Sequence, residues 1–133
     1  MNMPLPVTAV YASLLAILVV ILALTVVRLR RALKIGMGDG GNRDLQKAIR
    51  AHGNAVETIP VFLILMAVYE ANGGRAQMLH IAGALFLLSR VLHAGGLLSS
   101  SGASRGRAAG IVGTIGAILF LAISNLLRVI QAG

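Results

Sequence analysis

Twenty-four consecutive residues, Pro4 to Val27, carry no charged side chain. As a helix such a run crosses a hydrocarbon core of about 30 Å. Three more stretches of the same kind follow. Thr58–Tyr69 is uncharged and mostly apolar, Ala76–Ser89 is uncharged, and Ala108–Leu127 is an uncharged run of twenty residues. Few soluble folds of this size can hide so much apolar surface, because small domains leave a large share of their area in water. With 57% hydrophobic and 12% charged residues in 133, and a mean hydropathy of +0.87, the chain reads as a membrane protein.

The expected fold is all-α: one domain over 1–133, an integral membrane bundle of four helices spanning about 4–30, 45–71, 76–98 and 108–128. The first run is expected to be a retained span rather than a signal peptide, since its basic residues (Arg28, Arg30, Arg31, Lys34) follow it instead of preceding it. Ile35–Asn42, with four glycines in eight residues, reads as a loop. Asp44 is the expected cap of the second helix. Pro60 is expected to kink that helix or free a carbonyl. Asn72–Gly74 reads as a tight turn and Ser99–Ser104 as a flexible polar loop.

The net charge of +8 raises the question of nucleic acid. Aromatic residues are only 4%, so no stacking platform is available and no nucleic-acid partner is expected. In a membrane protein the same charge encodes topology. Nine Lys/Arg fall in loops one and three, against Arg75 and Arg128 on the other side. That bias places loops one and three in the cytoplasm. With no cysteine, the chain has no thiolate metal ligand or thiol nucleophile of its own, and no metal centre is expected.

Ionisable side chains inside membrane segments are costly and mark candidate sites. Arg50, Asn54 and Glu57 are spaced i, i+4, i+7, one face of a helix near the basic end of span two. Arg90 and His93 sit near the same end of span three. Arg28 closes span one there, and Arg107 opens span four. Glu57 is the one acid among four arginines, and the surplus positive charge suits a polycarboxylate anion. Plainer readings stand beside this one. Arg28, Arg30 and Arg31 serve equally as interfacial anchors, Arg50 and Glu57 as a structural ion pair, Asn54 as interhelical glue, and His93 as an interfacial hydrogen-bonder. His80 reads as a polar residue near the outer interface.

The stretch Arg50-Ala-His-Gly-Asn-Ala-Val-Glu-Thr-Ile-Pro60 resembles the second-helix signature of the MAPEG superfamily, the membrane-associated proteins of eicosanoid and glutathione metabolism. Val27–Arg31, Arg90-Val-Leu-His93 and Arg107-Ala-Ala-Gly110 match in order and position, so the similarity covers nearly the whole chain. The length and the Ile35–Gly41 loop look like the short bacterial branch, which implies a bacterial inner membrane. The resemblance further implies a homotrimer with glutathione as co-substrate, bound between protomers at the cytoplasmic end. Arg28, Arg50, Asn54, Glu57, Arg90 and His93 match its glutathione-contact or site-lining positions. Arginines would hold the two carboxylates of glutathione and Glu57 its ammonium. Arg107, with Arg105 as alternative, would be the catalytic residue, lowering the thiol pKa by its charge.

The function so implied is a glutathione-dependent transferase or peroxidase acting on lipophilic electrophiles that arrive from the bilayer. Eicosanoid-metabolising members carry tyrosines where this chain has Leu97 and Ile111, so eicosanoid synthesis is not expected. The alternative is a non-catalytic protein that binds a lipid or other anionic ligand. A transporter is a third reading, disfavoured because no inverted repeat or pair of broken helices is visible.

Overall fold

The computed structural model describes residues 4–99 and 104–132, the last of these by its backbone alone. Four helices follow in order: α1 (Pro6–Leu33), α2 (Arg43–Ala71), α3 (Ala76–Ser99) and α4 (Arg105–Ala132). Each is long and apolar enough to cross a membrane. The bundle is the four-helix membrane architecture expected. The polar loop expected at Ser99–Ser104 falls mostly on 100–103, outside the described residues.

The helix ends follow local chemistry, and two differ from expectation. Asn42, not Asp44, caps α2. Asn42 has extended backbone (φ −82°, ψ 119°), and its side-chain oxygen accepts from the amides of Asp44 and Leu45, both at 3.0 Å. A cap must stand one residue outside the helix to reach those amides. Asp44 instead sits in the first turn, where its charge complements the helix dipole, and it pairs with Lys47 at 3.2 Å. α4 starts at Arg105 rather than near 108 because Ser104 supplies the cap. The Arg107 amide donates to Ser104 Oγ at 3.2 Å, and the Ala108 amide to the Ser104 carbonyl at 3.1 Å. At the other end of loop one, α1 terminates on Lys34 in the left-handed region (φ 55°), and the Ile35 amide returns to the Arg30 carbonyl. Arg30 Nη1 then donates to the Gly38 carbonyl at 2.9 Å and ties the glycine loop to α1. α2 runs through Pro60 without interruption; the proline has no N–H to offer the Val56 carbonyl.

α3 packs most extensively on α4, and α1 on α2; α2 and α3 also pack on each other. α2 touches α4 and α3 touches α1, but among the described residues α1 and α4 make no contact. The α2–α3 pair is therefore the centre of the bundle. Phe62 and Phe86, both fully buried, stack there with ring centroids 3.9 Å apart. Lipid tails are as apolar as leucine, so close packing and interhelical hydrogen bonds must hold such helices together. Glycines supply the first: a Cβ on Gly110 would lie 2.6 Å from the Cβ of His93 and from the Ser89 carbonyl, so α4 fits against α3 only with glycine there. The second appears at the end remote from the basic loops. Glu70 accepts from the amides of Val7 (2.9 Å) and Thr8 (2.7 Å), capping α1 from 62–63 residues away. Tyr11 donates its hydroxyl to the His80 carbonyl at 3.0 Å. Asn125 donates to the Leu65 carbonyl at 3.0 Å.

Candidate functional site

Antiparallel connectivity brings the C-terminal ends of α1 and α3 and the N-terminal ends of α2 and α4 to one end of the bundle. The sequence-predicted site residues all lie toward that end. They divide into two groups, one inside the protomer and one on its surface.

The inner group is Arg90, His93 and Arg107, where α3 crosses α4. Arg90 is the largest fully buried side chain, 1% exposed. Its Nη1 donates to Thr114 Oγ1 over 3.4 Å, a long bond. Its Nε and Nη2 have no hydrogen-bond partner among the described residues. A guanidinium has five N–H donors and stays charged at any ordinary pH. Three glycines make the crossing possible. Gly96 lies so close to the Arg107 amide that a Cβ would approach it to 2.7 Å, and Gly106 and Gly110 lie against the backbone of α3. His93, 3% exposed, is thereby brought within 3.4 Å of the Arg107 carbonyl through its Nδ1. Donation in that direction puts the proton on Nδ1 and leaves Nε2 as an acceptor. Arg107 is half-buried in the first turn of α4, and Arg105 is exposed.

The surface group is on α2 and α1. At about 100° per residue, Arg50, Asn54 and Glu57 point away from the stripe Ala48, Ala51, Ala55 and Ile59, which is buried against the rest of the protomer. Arg50 and Glu57 are exposed and Asn54 half-buried. Arg28 is also exposed. Among the described residues no ion pair joins Arg50 to Glu57, so the structural-pair reading is not seen within one protomer. A ligand touching both groups would have to reach from the α2 surface to the α3–α4 crossing.

Sequence reasoning missed Thr114, the polar partner of Arg90; a lone threonine hydroxyl in an otherwise uncharged span was the signal available. It also missed Glu70 and Ser104. Ser104 sits just before the basic turn of α4, the usual position of a cap. Glu70 had no local signal, because its partners are in another helix. His80 is exposed at the opposite end with its ring edge-on to Tyr11, in keeping with an interfacial position.

Comparison with known proteins agrees with this architecture. The chain is 42% identical over 120 residues to the inner membrane protein YecN of Escherichia coli strain K12, covering 90% of each chain. The YecN protein of E. coli O6:H1 strain CFT073 matches to the same extent. The family described as the MAPEG family matches residues 8–127, which takes in all the candidate site residues. The chain is an integral membrane protein of the MAPEG family.

Proposed function

We propose that this protein is a membrane-embedded glutathione-dependent transferase or peroxidase acting on hydrophobic electrophiles, with glutathione bound at the basic end between copies of a homotrimer. The observation that carries the reading is Arg90: a fully buried cation with two guanidinium nitrogens unpartnered among the described residues. Buried charges are stable only when paired, and a carboxylate is the natural complement of a guanidinium. The Arg50, Asn54 and Glu57 face supports an intersubunit site, since the described residues of the protomer leave Arg50 and Glu57 exposed and Asn54 only half-buried.

In this scheme Arg50, Arg90 and Arg28 hold the carboxylates and Glu57 the ammonium. Asn54 and His93 line the site and supply polar contacts. Arg107 stabilises the thiolate. The sulfur lone pair forms a bond to the electrophilic carbon, the leaving group departs with its electron pair, and the thiol proton passes to water. The basic loops lie in the cytoplasm, on the nine-to-two bias of Lys/Arg. A single cysteine at Gly73 should then react with an impermeant thiol reagent in intact cells, and one at Gly40 should not; the reverse pattern inverts the orientation.

A non-catalytic ligand-binding role is the second reading. Both tyrosines lie at the opposite end, where Tyr11 is bonded to His80 and Tyr69 packs against Arg128, so no phenol is near Arg107. Calorimetric titration with glutathione, then turnover of 1-chloro-2,4-dinitrobenzene, separates the two. Losing a charged contact in a partly dry site costs about 2–5 kcal/mol. Glu57→Gln or Arg50→Ala should therefore weaken glutathione at least ~30-fold. Arg107→Ala should leave affinity within a few fold but raise the pKa of the bound thiol, read from thiolate absorbance near 240 nm. A wild-type thiol titration and turnover in Arg107→Ala refutes its catalytic role. Failure of the wild type to bind glutathione refutes the enzyme reading in favour of the second.

A further inference from the structure

At the end of the bundle remote from the basic loops, α2 and α4 flank a half-open surface pocket of about 370 Å³ lined by Val68, Asn72, Asn125, Arg128, Val129 and Gln131. Among the described residues Arg128 is its one charged group, and no acid lines it. The guanidinium is fixed in place rather than trailing in solvent. Its Nη2 donates to the Asn72 carbonyl, and its carbon lies 5.3 Å from the centre of the Tyr69 ring. The walls are fixed as well: Asn72 Nδ2 donates to the Val68 carbonyl at 2.9 Å, and Asn125 Nδ2 to the Leu65 carbonyl at 3.0 Å. The Asn72 carbonyl uses one of the five N–H donors of Arg128, which leaves a fork for a planar or tetrahedral anion.

An apolar surface runs from this pocket toward the middle of the membrane. Leu126 and Leu119 lie one and about three turns from Val129 on the same side of α4. All three are exposed on the protomer. A preformed cationic pocket at the depth of the headgroups, above an apolar track, matches an amphiphile with an anionic head. We infer that this pocket binds the phosphate of an anionic phospholipid, with its acyl chains along α4. A zwitterionic lipid fits less well, because it would bring an ammonium beside Arg128 with no acid among the described lining residues to receive it. The inference is independent of glutathione, whose candidate residues lie at the other end.

The test uses the full chain purified in a neutral detergent and titrated with phosphatidylglycerol or phosphatidylcholine of the same acyl length, followed by native mass spectrometry. One phosphatidylglycerol per chain should bind at least ~10-fold tighter than phosphatidylcholine, about 1.4 kcal/mol. Arg128→Gln should remove that preference. Val129→Trp, which keeps the charge and fills the pocket, should weaken phosphatidylglycerol to a similar degree and reports on the site even where Arg128→Gln fails to fold. Equal affinity for the two lipids, or a preference that survives in Val129→Trp, overturns the inference. Inorganic phosphate competing at concentrations as low as the lipid overturns the assignment to an amphiphile.

Discussion

Replacing Arg90 with methionine should stabilise the unliganded protein while abolishing its response to an anion. Methionine nearly fills the volume of the guanidinium stem and needs no hydrogen-bond partners. Among the described residues two Arg90 nitrogens have no acceptor, and each buried donor left unsatisfied costs about 1–3 kcal/mol. Against this, Arg90→Met loses the 3.4 Å bond to Thr114, worth about 0.5 kcal/mol at that length. Replacement of buried ionic groups by apolar ones of similar size is commonly neutral or stabilising by about 1–4 kcal/mol. Denaturation of wild type and Arg90→Met in the same detergent micelle measures the difference directly. Glutathione at a hundred times its dissociation constant should add about 2.7 kcal/mol to the wild type and less than about 1 kcal/mol to the variant. If the unliganded variant is instead less stable by more than about 1 kcal/mol, Arg90 already has an anionic partner in the folded assembly. A carboxylate from a neighbouring copy would then be the first candidate, and the argument from an unsatisfied charge to a ligand collapses.

Two further outcomes follow from the packing. Glu70→Ala removes both acceptors from the first turn of α1 and should cost about 1–3 kcal/mol, with faster hydrogen exchange at the Val7 and Thr8 amides; Glu70→Gln, which keeps one acceptor, should cost less. Exchange at those amides unchanged in Glu70→Ala would show that the carboxylate does not cap α1. Gly110→Ala should lower the melting temperature, because its Cβ meets α3 at 2.6 Å, whereas Gly116→Ala has open space and should raise stability by up to about 1 kcal/mol through helix propensity. Equal effects at the two glycines would refute the close approach of α4 to α3.

The four spans were legible because the bilayer imposes the simplest of patterns, long runs without charge, and charges at the run ends mark where each helix leaves the hydrocarbon. Capping was legible only in part. Asp44 and Asn42 are both good caps in isolation, and the choice between them depends on where the backbone turns extended, which is set by the glycines before it. In the candidate site, the helical spacing of Arg50, Asn54 and Glu57 correctly put them on one face. It did not reveal that this face points away from the protomer core, because period alone gives relative direction and not what lies opposite. The burial of Arg90 was hidden for a related reason: a long cation near a helix end ordinarily snorkels to water, and only the glycine-lined crossing of α3 with α4 encloses it. Glu70 was invisible because its role depends on a partner helix sixty residues away.

The lack of contact between α1 and α4 has a thermodynamic meaning. Coupling free energy between two positions requires a shared neighbour or a common rearrangement. Among the described residues these helices share only the α2–α3 pair, whose centre is the rigid stack of Phe62 on Phe86. Within one protomer, packing changes on the two flanks, away from Arg28 and Arg107, should therefore combine as near-independent increments, so that the core-facing residues of one flank can drift in sequence without constraining those of the other. The central pair has no such freedom, since each of its substitutions is felt on both sides at once.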